Sequence, residues 1–365
     1  MKPGSLWEAG LPAGTRDELV ARTDVLIVGG GFLGLWLARF LRESSPPPSL
    51  QLLDREPTPR AASTRNAGFL TCGQVSEMAA DRRAVGEATV VESFLLRREG
   101  AARILREFGA RIDLDPCGSA DFDAITDETE ELAELLNKIH PTFHQSTLEL
   151  GGVPRRVFFN SRDAGIHPGK LLACLEAEAR ARGARVVRGV PVASIGGGRA
   201  VAAGREIRYG HAFVCTNAFA KELWPGSDVV PGRGQILLLR PCVARTAPVL
   251  GFLRDGYDYF RFVEGRLLVG GGRDRAVERE ATPLMEGSDE VRAHLEAVAR
   301  TVLGGGLVEV ERHWAGIMGF ASGRHLPAYP ARSVDPTTTV VAGCGGMGVA
   351  LAPAVAHRLA SEFRA

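Results

Sequence analysis

The chain has 365 residues, of which 45% are hydrophobic and 24% are charged, as in ordinary globular proteins. This length is enough for two domains or for one large discontinuous domain. The formal net charge is only +1, so no bulk electrostatic field recruits nucleic acid or an anionic membrane. We therefore expect neither nucleic acid nor a membrane among the partners of this protein.

The 6 cysteines are widely scattered and form no Cys-x-x-Cys pair, which argues against zinc and iron–sulfur sites. Residues 1–22 are polar and contain glycine and proline, unlike a secretory signal. We therefore expect no metal, free thiols and a cytoplasmic protein. Cys72 and Cys344 flank glycine-bearing segments, where a redox-active thiol and an inert buried thiol are the two interpretations.

The chain opens with a strand, a helix and a second strand. Residues Asp24–Gly29 are apolar on both faces, which is typical of a buried strand in a parallel sheet. The spacing predicts a helix over Phe32–Arg42 and a second strand over Ser49–Asp54, after the proline turn "SPPP". The run Val25–Leu41 imitates a membrane span, but its glycines and Arg39 favour a buried βα unit.

Helical and antiparallel patterns follow. Helical periodicity predicts helices over Thr89–Phe108, 128–139 and Asp289–Val302, and "GQILLLR", "YDYFRF" and "RLLVGGG" are typical of antiparallel strands. We predict an α/β fold with a discontinuous Rossmann-like domain and an inserted α+β domain built on an antiparallel sheet. The predicted boundaries are 1–90, 158–225 and 328–365 for the first domain, and 91–157 and 226–327 for the second.

The first glycine cluster has the form G-x-G-x-x-G and stands between a predicted strand and a predicted helix. Gly29 permits a tight turn, Gly31 lets the backbone approach a pyrophosphate, and Gly34 lets the helix pack on the strand. Asp54 ends the second strand, where an acid accepts a hydrogen bond from a ribose hydroxyl. The motif predicts a dinucleotide site, but it does not separate NAD from FAD.

Two further segments are rich in polar side chains or in glycine. The segment "ASTRNAGFLTCG", residues 62–73, is too irregular for a strand, and it is either a surface loop or a site for a second phosphate or a ring system. Four glycines within residues 343–348 again stand between a β-branched run and an apolar helix. Glycine is costly inside ordered elements, so we expect a ligand or chain to approach that backbone closely.

Together these blocks resemble the D-amino-acid oxidase-like family of FAD-dependent oxidoreductases, which includes glycine oxidase, sarcosine oxidase and gamma-glutamylputrescine oxidase. The blocks follow the family's order over nearly the whole chain. They are "DVLIVGGGFLGLWLA", "STRNAGF", "IHPGKLLACLEAEARARGARV", "FVCTNAF", "RGQILLL", "DYFRFVEGRLLVGGG", "WAGIMGF" and "GCGGMGVALAP". The resemblance implies the glutathione-reductase-type FAD fold, and "DYFR" and "SLWE" look most like the gamma-glutamylputrescine oxidase branch.

The resemblance also implies which residues hold FAD. The N-terminal glycines hold the ADP half, and the C-terminal glycine loop reaches the flavin, where helix N-terminal donors stabilise developing negative charge. The implied cofactor residues are Gly29, Gly31, Gly34, Asp54, Arg55, Ser63, Thr64, Arg65, Asn66, Ala67, Gly68, Val192, Thr216, Asn217, Gly345, Gly346, Met347, Gly348 and Val349. The cysteine that binds flavin covalently in the sarcosine oxidase branch has no counterpart, so we expect non-covalent FAD.

The chemistry implied by the resemblance is oxidation of a C–N bond in an amine or amino acid, by hydride transfer to flavin N5, imine hydrolysis and reoxidation by O2. Tyr259 and Arg261 share one face of a strand and, with Met318, are the candidate substrate residues, although a structural aromatic and a salt-bridged arginine are the alternative. Glycine oxidase-like members have a carboxylate-binding arginine at the position of Met318. A thioether cannot replace that fork, so we expect an amine with a distant carboxylate or none, unless Arg233, Arg261 or Arg324 supplies a relocated clamp.

The electron acceptor stays open at this point. Leu268 occupies the position of the lysine that activates O2 in sarcosine oxidase-like members, so both an oxidase and a dehydrogenase are consistent with the sequence. The alternatives are a dehydrogenase that passes electrons to a partner or acts on a 2-hydroxy acid, and a non-catalytic flavin-binding subunit. His325 is either a base near the site or a loop histidine with a structural hydrogen bond.

Overall fold

The computed structural model describes residues 4–8, 11, 17–241, 245–321 and 330–363, and Arg324 and His325 lie outside these ranges. The α-helices are α1 Phe32–Leu41, α2 Ala62–Arg65, α3 Val75–Val85, α4 Glu87–Phe108, α5 Asp127–Ile139, α6 Pro168–Ala181, α7 Ala220–Leu223, α8 Val277–Glu280, α9 Asp289–Leu303 and α10 Gly348–Glu362. Short 3-10 helices are formed by Leu6–Glu8, Gly109–Arg111, Asn217–Phe219 and Arg273–Ala276.

The strands form two large sheets and one two-stranded sheet. They are β1 Arg22–Val28, β2 Leu50–Asp54, β3 Phe69–Leu70, β4 Ser119–Phe122, β5 His144–Leu150, β6 Val153–Asn160, β7 Ala164–Gly165, β8 Arg185–Arg188, β9 Val192–Gly196, β10 Arg199–Ala202, β11 Arg205–Val214, β12 Val229–Pro241, β13 Leu250–Leu253, β14 Asp258–Val263, β15 Arg266–Gly271, β16 Val310–Ala321, β17 Ala331–Asp335 and β18 Thr338–Val341.

The first large sheet, here called the parallel sheet, has the order β17-β18-β11-β1-β2-β8, with β9 and β10 attached to β11. β1 pairs in parallel with both β2 and β11, which places Val28 beside Leu53 and Val214. β11 pairs in parallel with β18, which places Val214 beside Val340. The carboxyl ends of these four strands therefore meet at one edge, and the predicted βαβ unit is confirmed.

The second large sheet, here called the antiparallel sheet, has the order β16-β12-β15-β14-β13-β4-β6-β5 and contains one parallel pair, β4 with β13. One face buries Leu237, Val269 and Phe260 against α9. The opposite face carries a row of cross-strand neighbours, Trp314, Ile236, Gly270, Tyr259 and Phe252, and we call it the Trp314 face. The predicted antiparallel strands and the mixed α/β fold are confirmed, while the domain boundaries stay predictions.

Our prediction of an irregular backbone over residues 62–73 is wrong in two places. Ala62–Arg65 form one helical turn, and Phe69–Leu70 form a strand that pairs with Ala164–Gly165. The partner strand is distant in the sequence, so no local pattern could show this pairing. The run Val25–Leu41 forms a strand and a separate buried helix, and no described helix is both long and apolar enough to cross a membrane.

The contact between α4 and α10 yields a stability prediction. A Cβ added to Gly100 in α4 would overlap the carbonyl oxygen of Ala350 in α10. Because that obstacle is backbone, we expect Gly100→Ala to lower the free energy of unfolding by about 1–3 kcal/mol, measured by denaturant unfolding. Gly109→Ala at the end of α4 is the control, since its φ is −44° and the nearest atom to the added Cβ, in Leu114, is 3.6 Å away. Equal stability of the two variants would contradict a fixed α4–α10 contact.

Candidate functional site

The turn between β1 and α1 leaves little room for side chains at its glycines. Gly29 has a φ of +112°, a conformation that side-chain-bearing residues rarely adopt. A Cβ on Gly34 would overlap the carbonyl oxygen of Gly29, and a Cβ on Gly31 would lie 2.9 Å from Ser63 Oγ. Ser63 Oγ accepts a hydrogen bond of 3.0 Å from the Phe32 backbone N–H, at the start of α1. The helix start is thus closely approached by backbone and by one hydroxyl.

Asp54 lies against this turn. Its Oδ2 accepts a hydrogen bond of 2.6 Å from the Gly30 N–H, and its Oδ1 accepts one of 2.8 Å from the Glu56 N–H. Beside it, Arg188 is buried and donates to Gly30 O at 3.1 Å and to Glu176 Oε2 at 2.7 Å. Its Nη1 lies 3.7 Å from Asp54 Oδ2 and has no hydrogen-bond partner among the described residues. Sequence reasoning missed Arg188, whose one signal was its position at the end of a buried strand.

Three other predicted cofactor residues lie around the same edge of the parallel sheet. Thr216 follows β11, and its buried Oγ1 has no hydrogen-bond partner in the part of the chain that the structure describes. Arg55 follows β2, forms an ion pair of 3.0 Å with Glu222 and lies 4.0 Å above the Phe219 ring. Val192 begins β9, two residues after Val190, whose N–H donates a hydrogen bond of 2.9 Å to the Asp54 carbonyl. The unmatched hydroxyl of Thr216 and the unmatched nitrogen of Arg188 fit the polar groups of a nucleotide.

The segment after β2 is held by the N-terminal residues. Arg65 forms an ion pair of 2.8 Å with Glu8 and accepts, through its carbonyl, a hydrogen bond of 3.1 Å from Trp314 Nε1. Trp7 Nε1 donates to the carbonyl of Asn66 at 2.6 Å, and the Trp7 side chain is buried. The guanidinium of Arg65 is therefore engaged by protein, and "SLWE" acts as a strap across this segment.

Arg261 holds the next turn. The Asn66 side chain accepts from the Gly68 N–H at 2.8 Å, and Gly68 has a φ of +76°. Arg261 Nη1 donates to the carbonyls of Gly68 at 2.7 Å and Ile166 at 3.1 Å. Burial lowers the pKa of Arg261. These contacts favour a positioning role for Arg261 over contact with a substrate carboxylate. Ala67 in the same segment is buried, and the Thr64 hydroxyl donates a hydrogen bond of 2.8 Å to Pro59 O.

Tyr259 belongs to an apolar wall on the Trp314 face. Its ring meets Phe69 edge-on, with 5.6 Å between centroids, and occupies the space above Gly270. Tyr259 packs against a cluster that includes the buried side chains of Ile236 and Leu268. Burial raises the pKa of the Tyr259 hydroxyl, which hydrogen-bonds with none of the described residues. The wall is hydrophobic and adjoins the segment that carries Ala67.

Asn217 connects the end of β11 to the C-terminal glycine loop. It has a φ of +46°, and its Oδ1 accepts hydrogen bonds of 2.9 Å from the Gly343 N–H and 3.1 Å from the Cys344 N–H. The Gly345 N–H donates to Gly319 O in β16 at 2.8 Å. The Asn217 amide thus fixes the loop, while the backbone around it forms the edge of the site.

The start of α10 meets Met318. The first-turn N–H groups of a helix lack intrahelical acceptors, and Met347, which precedes α10, supplies no side-chain cap for them. A Cβ on Gly346 would lie 3.8 Å from Met318 Sδ, and Val349 is buried in the first turn. The structure therefore brings the predicted flavin loop and the predicted substrate residue Met318 together.

Arg233, one of the three alternative clamps, points away from this region. It forms hydrogen bonds of 2.8 Å to each carboxylate oxygen of Glu280, which is fully buried on the α9 side. Hydrogen bonding to Glu280 raises the pKa of Arg233. Arg233 is thus already neutralised, and Arg324 lies outside the described residues.

Cys72 and Cys344 are both buried. Burial raises the pKa of Cys344 to about 12 and raises that of Cys72 well above its ordinary value. Both thiols are therefore protonated at neutral pH and poorly nucleophilic, which favours the interpretation as inert buried thiols over redox-active ones.

A sequence model of the DAO family, described as FAD dependent oxidoreductase, matches residues 24–362. No curated protein sequence matches the chain significantly. The fold is similar to glycine oxidase from Geobacillus kaustophilus, with 18% identity, a TM-score of 0.76 and coverage of 95% of this chain and 96% of that one.

Two other solved structures show the same fold. Iminodiacetate oxidase from Chelativorans sp. BNC1 is 19% identical with a TM-score of 0.70, covering 92% of this chain and 94% of that one. L-α-glycerophosphate oxidase from Mycoplasma pneumoniae, solved with FAD bound, is 15% identical with a TM-score of 0.71, covering 94% of this chain and 96% of that one.

The Asn217 bridge gives a second prediction. Asn217→Ala removes the acceptor of two N–H groups and places alanine in the left-handed region, so we expect a loss of about 2–4 kcal/mol in the free energy of unfolding. Asn217→Asp keeps the acceptor oxygen and tolerates this backbone conformation, so it should stay near the wild type. Denaturant unfolding with flavin content measured in parallel tests both variants. Equal losses in the two would show that the bridge does not determine stability.

Proposed function

This chain belongs to the DAO family of FAD-dependent oxidoreductases, and on that premise we propose that it oxidises the C–N bond of an amine or amino acid. The observation that carries the proposal is the meeting of an uncapped helix start at Gly348 with a hydrophobic sheet face at Met318. A helix start offers N–H donors to a flavin that becomes negatively charged, while the apolar face suits a substrate whose amine reacts in its neutral form.

We propose that FAD is held non-covalently at the edge of the parallel sheet, where the residues fit its nucleotide half. Bound FAD would supply the acceptor for a hydride from the substrate carbon, with O2 or another acceptor taking the electrons onward. Gly29 and Gly31 place no side chain at the start of α1, so a pyrophosphate would approach the backbone there, next to the Ser63 hydroxyl. The unmatched polar atoms of Thr216 and Arg188 support the same placement of the nucleotide half.

The apolar wall supplies the environment for the amine. Ile236, Leu268 and Trp314 are buried, and Tyr259 stays protonated because burial raises its pKa. Removing an amine from water disfavours its ammonium form, so the wall lowers the pKa of the amine and populates the reactive neutral form. We propose that these residues hold the amine and exclude water during oxidation, after which the imine is hydrolysed.

The contacts of Arg233 and Arg261 support a substrate without a carboxylate on the reacting carbon. Met318 offers no fork for a carboxylate, the guanidinium of Arg233 is paired with Glu280, and Nη1 of Arg261 is bound by backbone carbonyls. A carboxylate on the reacting carbon thus has neither Met318 nor Arg233 as a partner, while Arg261 is held by backbone through its Nη1. We propose a substrate whose carboxylate is distant from the C–N bond or absent.

A dehydrogenase is the second candidate, and Leu268 is the observation that favours it. Leu268 is fully buried on the Trp314 face, where it provides no cation to stabilise reduced oxygen. Electrons would then leave to a partner or to a small acceptor other than O2. The substrate half of the reaction is the same in both candidates.

Anaerobic bleaching of the visible flavin band tests the proposed function. We expect bleaching by at least one member of a panel of polyamines, gamma-glutamyl amines, N-methyl amino acids and D-amino acids, and none by 2-hydroxy acids. Admission of air then separates the candidates, since an oxidase regains its colour and releases hydrogen peroxide. Bleaching by 2-hydroxy acids alone, or a protein that cannot be reconstituted with FAD, would contradict the proposal.

Met318→Arg tests the role assigned to Met318. The new guanidinium would lie beside Gly346, so we expect kcat/KM for glycine, sarcosine or D-alanine to rise at least about tenfold, because a hydrogen bond to a charged group contributes about 1.5–3 kcal/mol. Met318→Leu, which changes shape without adding charge, is the control and should show no gain. Retained flavin and no gain in Met318→Arg would argue that Met318 does not face the substrate.

A further inference from the structure

Arg273 lies where β15 ends and the chain leaves the antiparallel sheet. Gly272, with a φ of +70°, turns the chain into the 3-10 helix Arg273–Ala276. The Cδ of Arg273 lies 3.7 Å from the position that a Cβ on Gly232 would take, and its Cζ lies 4.1 Å from the centroid of the Phe320 ring. Because Gly232 has no side chain, the Phe320 ring and the Arg273 methylenes occupy the space above it.

This position places Arg273 on the Trp314 face. Phe320 and Met318 are two residues apart on β16 and therefore share a face of the strand. Gly232 is the direct cross-strand partner of Met318. A Cβ on Gly234, the next β12 residue on this face, would lie 2.8 Å from Met318 Cε, and one on Gly346 would lie 3.8 Å from its Sδ. The Met318 side chain therefore lies along this face between Arg273, at Gly232, and the apolar wall, at Ile236.

The guanidinium of Arg273 has no anionic partner within the described ranges. Arg273 donates no hydrogen bond to these residues, and none of their carboxylates lies within 4.0 Å of it. The adjacent Asp274 is occupied by Arg254, just as Glu280 is occupied by Arg233. Burial lowers the pKa of Arg273 more than its negative neighbours raise it. A partly desolvated cation without a counter-ion is costly unless a ligand supplies one.

Contact with the Phe320 ring positions the guanidinium of Arg273 but satisfies none of its donors. An arginine has five N–H donors in a planar fork, and contact with an aromatic ring holds the plane while leaving the edges free. That fork matches a carboxylate in a bidentate manner. The surroundings therefore favour a planar anion as the missing partner.

We propose that Arg273 binds the carboxylate of the substrate at the end remote from the C–N bond. The substrate is then an amine with a distant carboxylate, long enough for its chain to pass Met318. The reacting amine in this inference rests on the proposed function. The carboxylate rests on the position of Arg273 and on its guanidinium, which is unpaired among the described residues.

Binding of a dicarboxylate tests the anion site without turnover. Glutarate is titrated into the FAD-loaded protein, and perturbation of the flavin spectrum gives Kd. We expect Arg273→Met to weaken glutarate binding about 30-fold or more, as for the loss of one member of a hydrogen-bonded charge pair, and Arg273→Lys to recover part of it. Arg275→Met is the control, because Arg275 is exposed at the neighbouring position and should leave Kd unchanged.

Turnover then tests the substrate class. Matched compounds with and without the acid, 4-aminobutanoate with butylamine and 6-aminohexanoate with hexylamine, are compared in the wild type and in Arg273→Met. We expect the acids to be preferred by the wild type, and Arg273→Met to raise KM for the acids about 30-fold with little change in kcat. The amines without the acid should be unaffected by the substitution.

The outcomes separate the two proposals. Equal use of acids and plain amines by the wild type, or unchanged glutarate binding in Arg273→Met, would overturn the anion site while bleaching by amines still supports C–N oxidation. Loss of binding in Arg324→Met but not in Arg273→Met would also overturn it. Weakened glutarate binding in Arg273→Met, with no amine able to bleach the flavin, would support the anion site and contradict the proposed function.

Discussion

The parallel pairing of β1, β2, β11 and β18 is the constraint on which the rest of the site depends. Its register aligns Val28 with Leu53 and Val214, and Val214 with Val340, so that four strands end along one line. The segments that leave these ends carry the first glycine turn, Asp54, Asn217 and the C-terminal glycine loop. Ligands of such sheets bind at the carboxyl ends of the strands. Residues from both ends of the chain therefore meet without long connecting loops.

The register of the antiparallel sheet decides which arginines are available to a ligand. Successive residues of β12 alternate between faces, so Gly232 and Gly234 lie on the Trp314 face while Arg233 faces α9. There Arg233 is neutralised by the fully buried Glu280. Breaking a buried pair of this kind by removing one partner costs about 3–5 kcal/mol. A slip of one residue would bring Arg233 to the Trp314 face and leave Glu280 unpaired, so packing and charge specify the same register.

The local elements were predictable from the sequence because their signals are local. The predicted end of α1 differs from the observed end by one residue, and the predicted start of α4 differs from the observed start by two residues. The contacts that position the candidate site were not predictable, because their partners are distant in the sequence. Arg65 meets Glu8, and the partners of Arg261 belong to two separate segments. The pattern identified a polar segment at residues 62–73, but it could not show which of its side chains bind protein and which stay free for a cofactor.

Arg273 was missed for the same reason, since its environment depends on Gly232 and Phe320, which come from two other strands. In the proposed function, the cation and the apolar wall affect the substrate in different places. The wall disfavours an ammonium ion next to the flavin, and the positive charge of Arg273 disfavours it further until a carboxylate neutralises that charge. Met318 lies between the two, and its flexible thioether fills the space from Gly346 to Gly234 without adding charge. Under this proposal, specificity on this face depends on length, because a substrate must extend past Met318 to place its amine at the wall and its acid at Arg273.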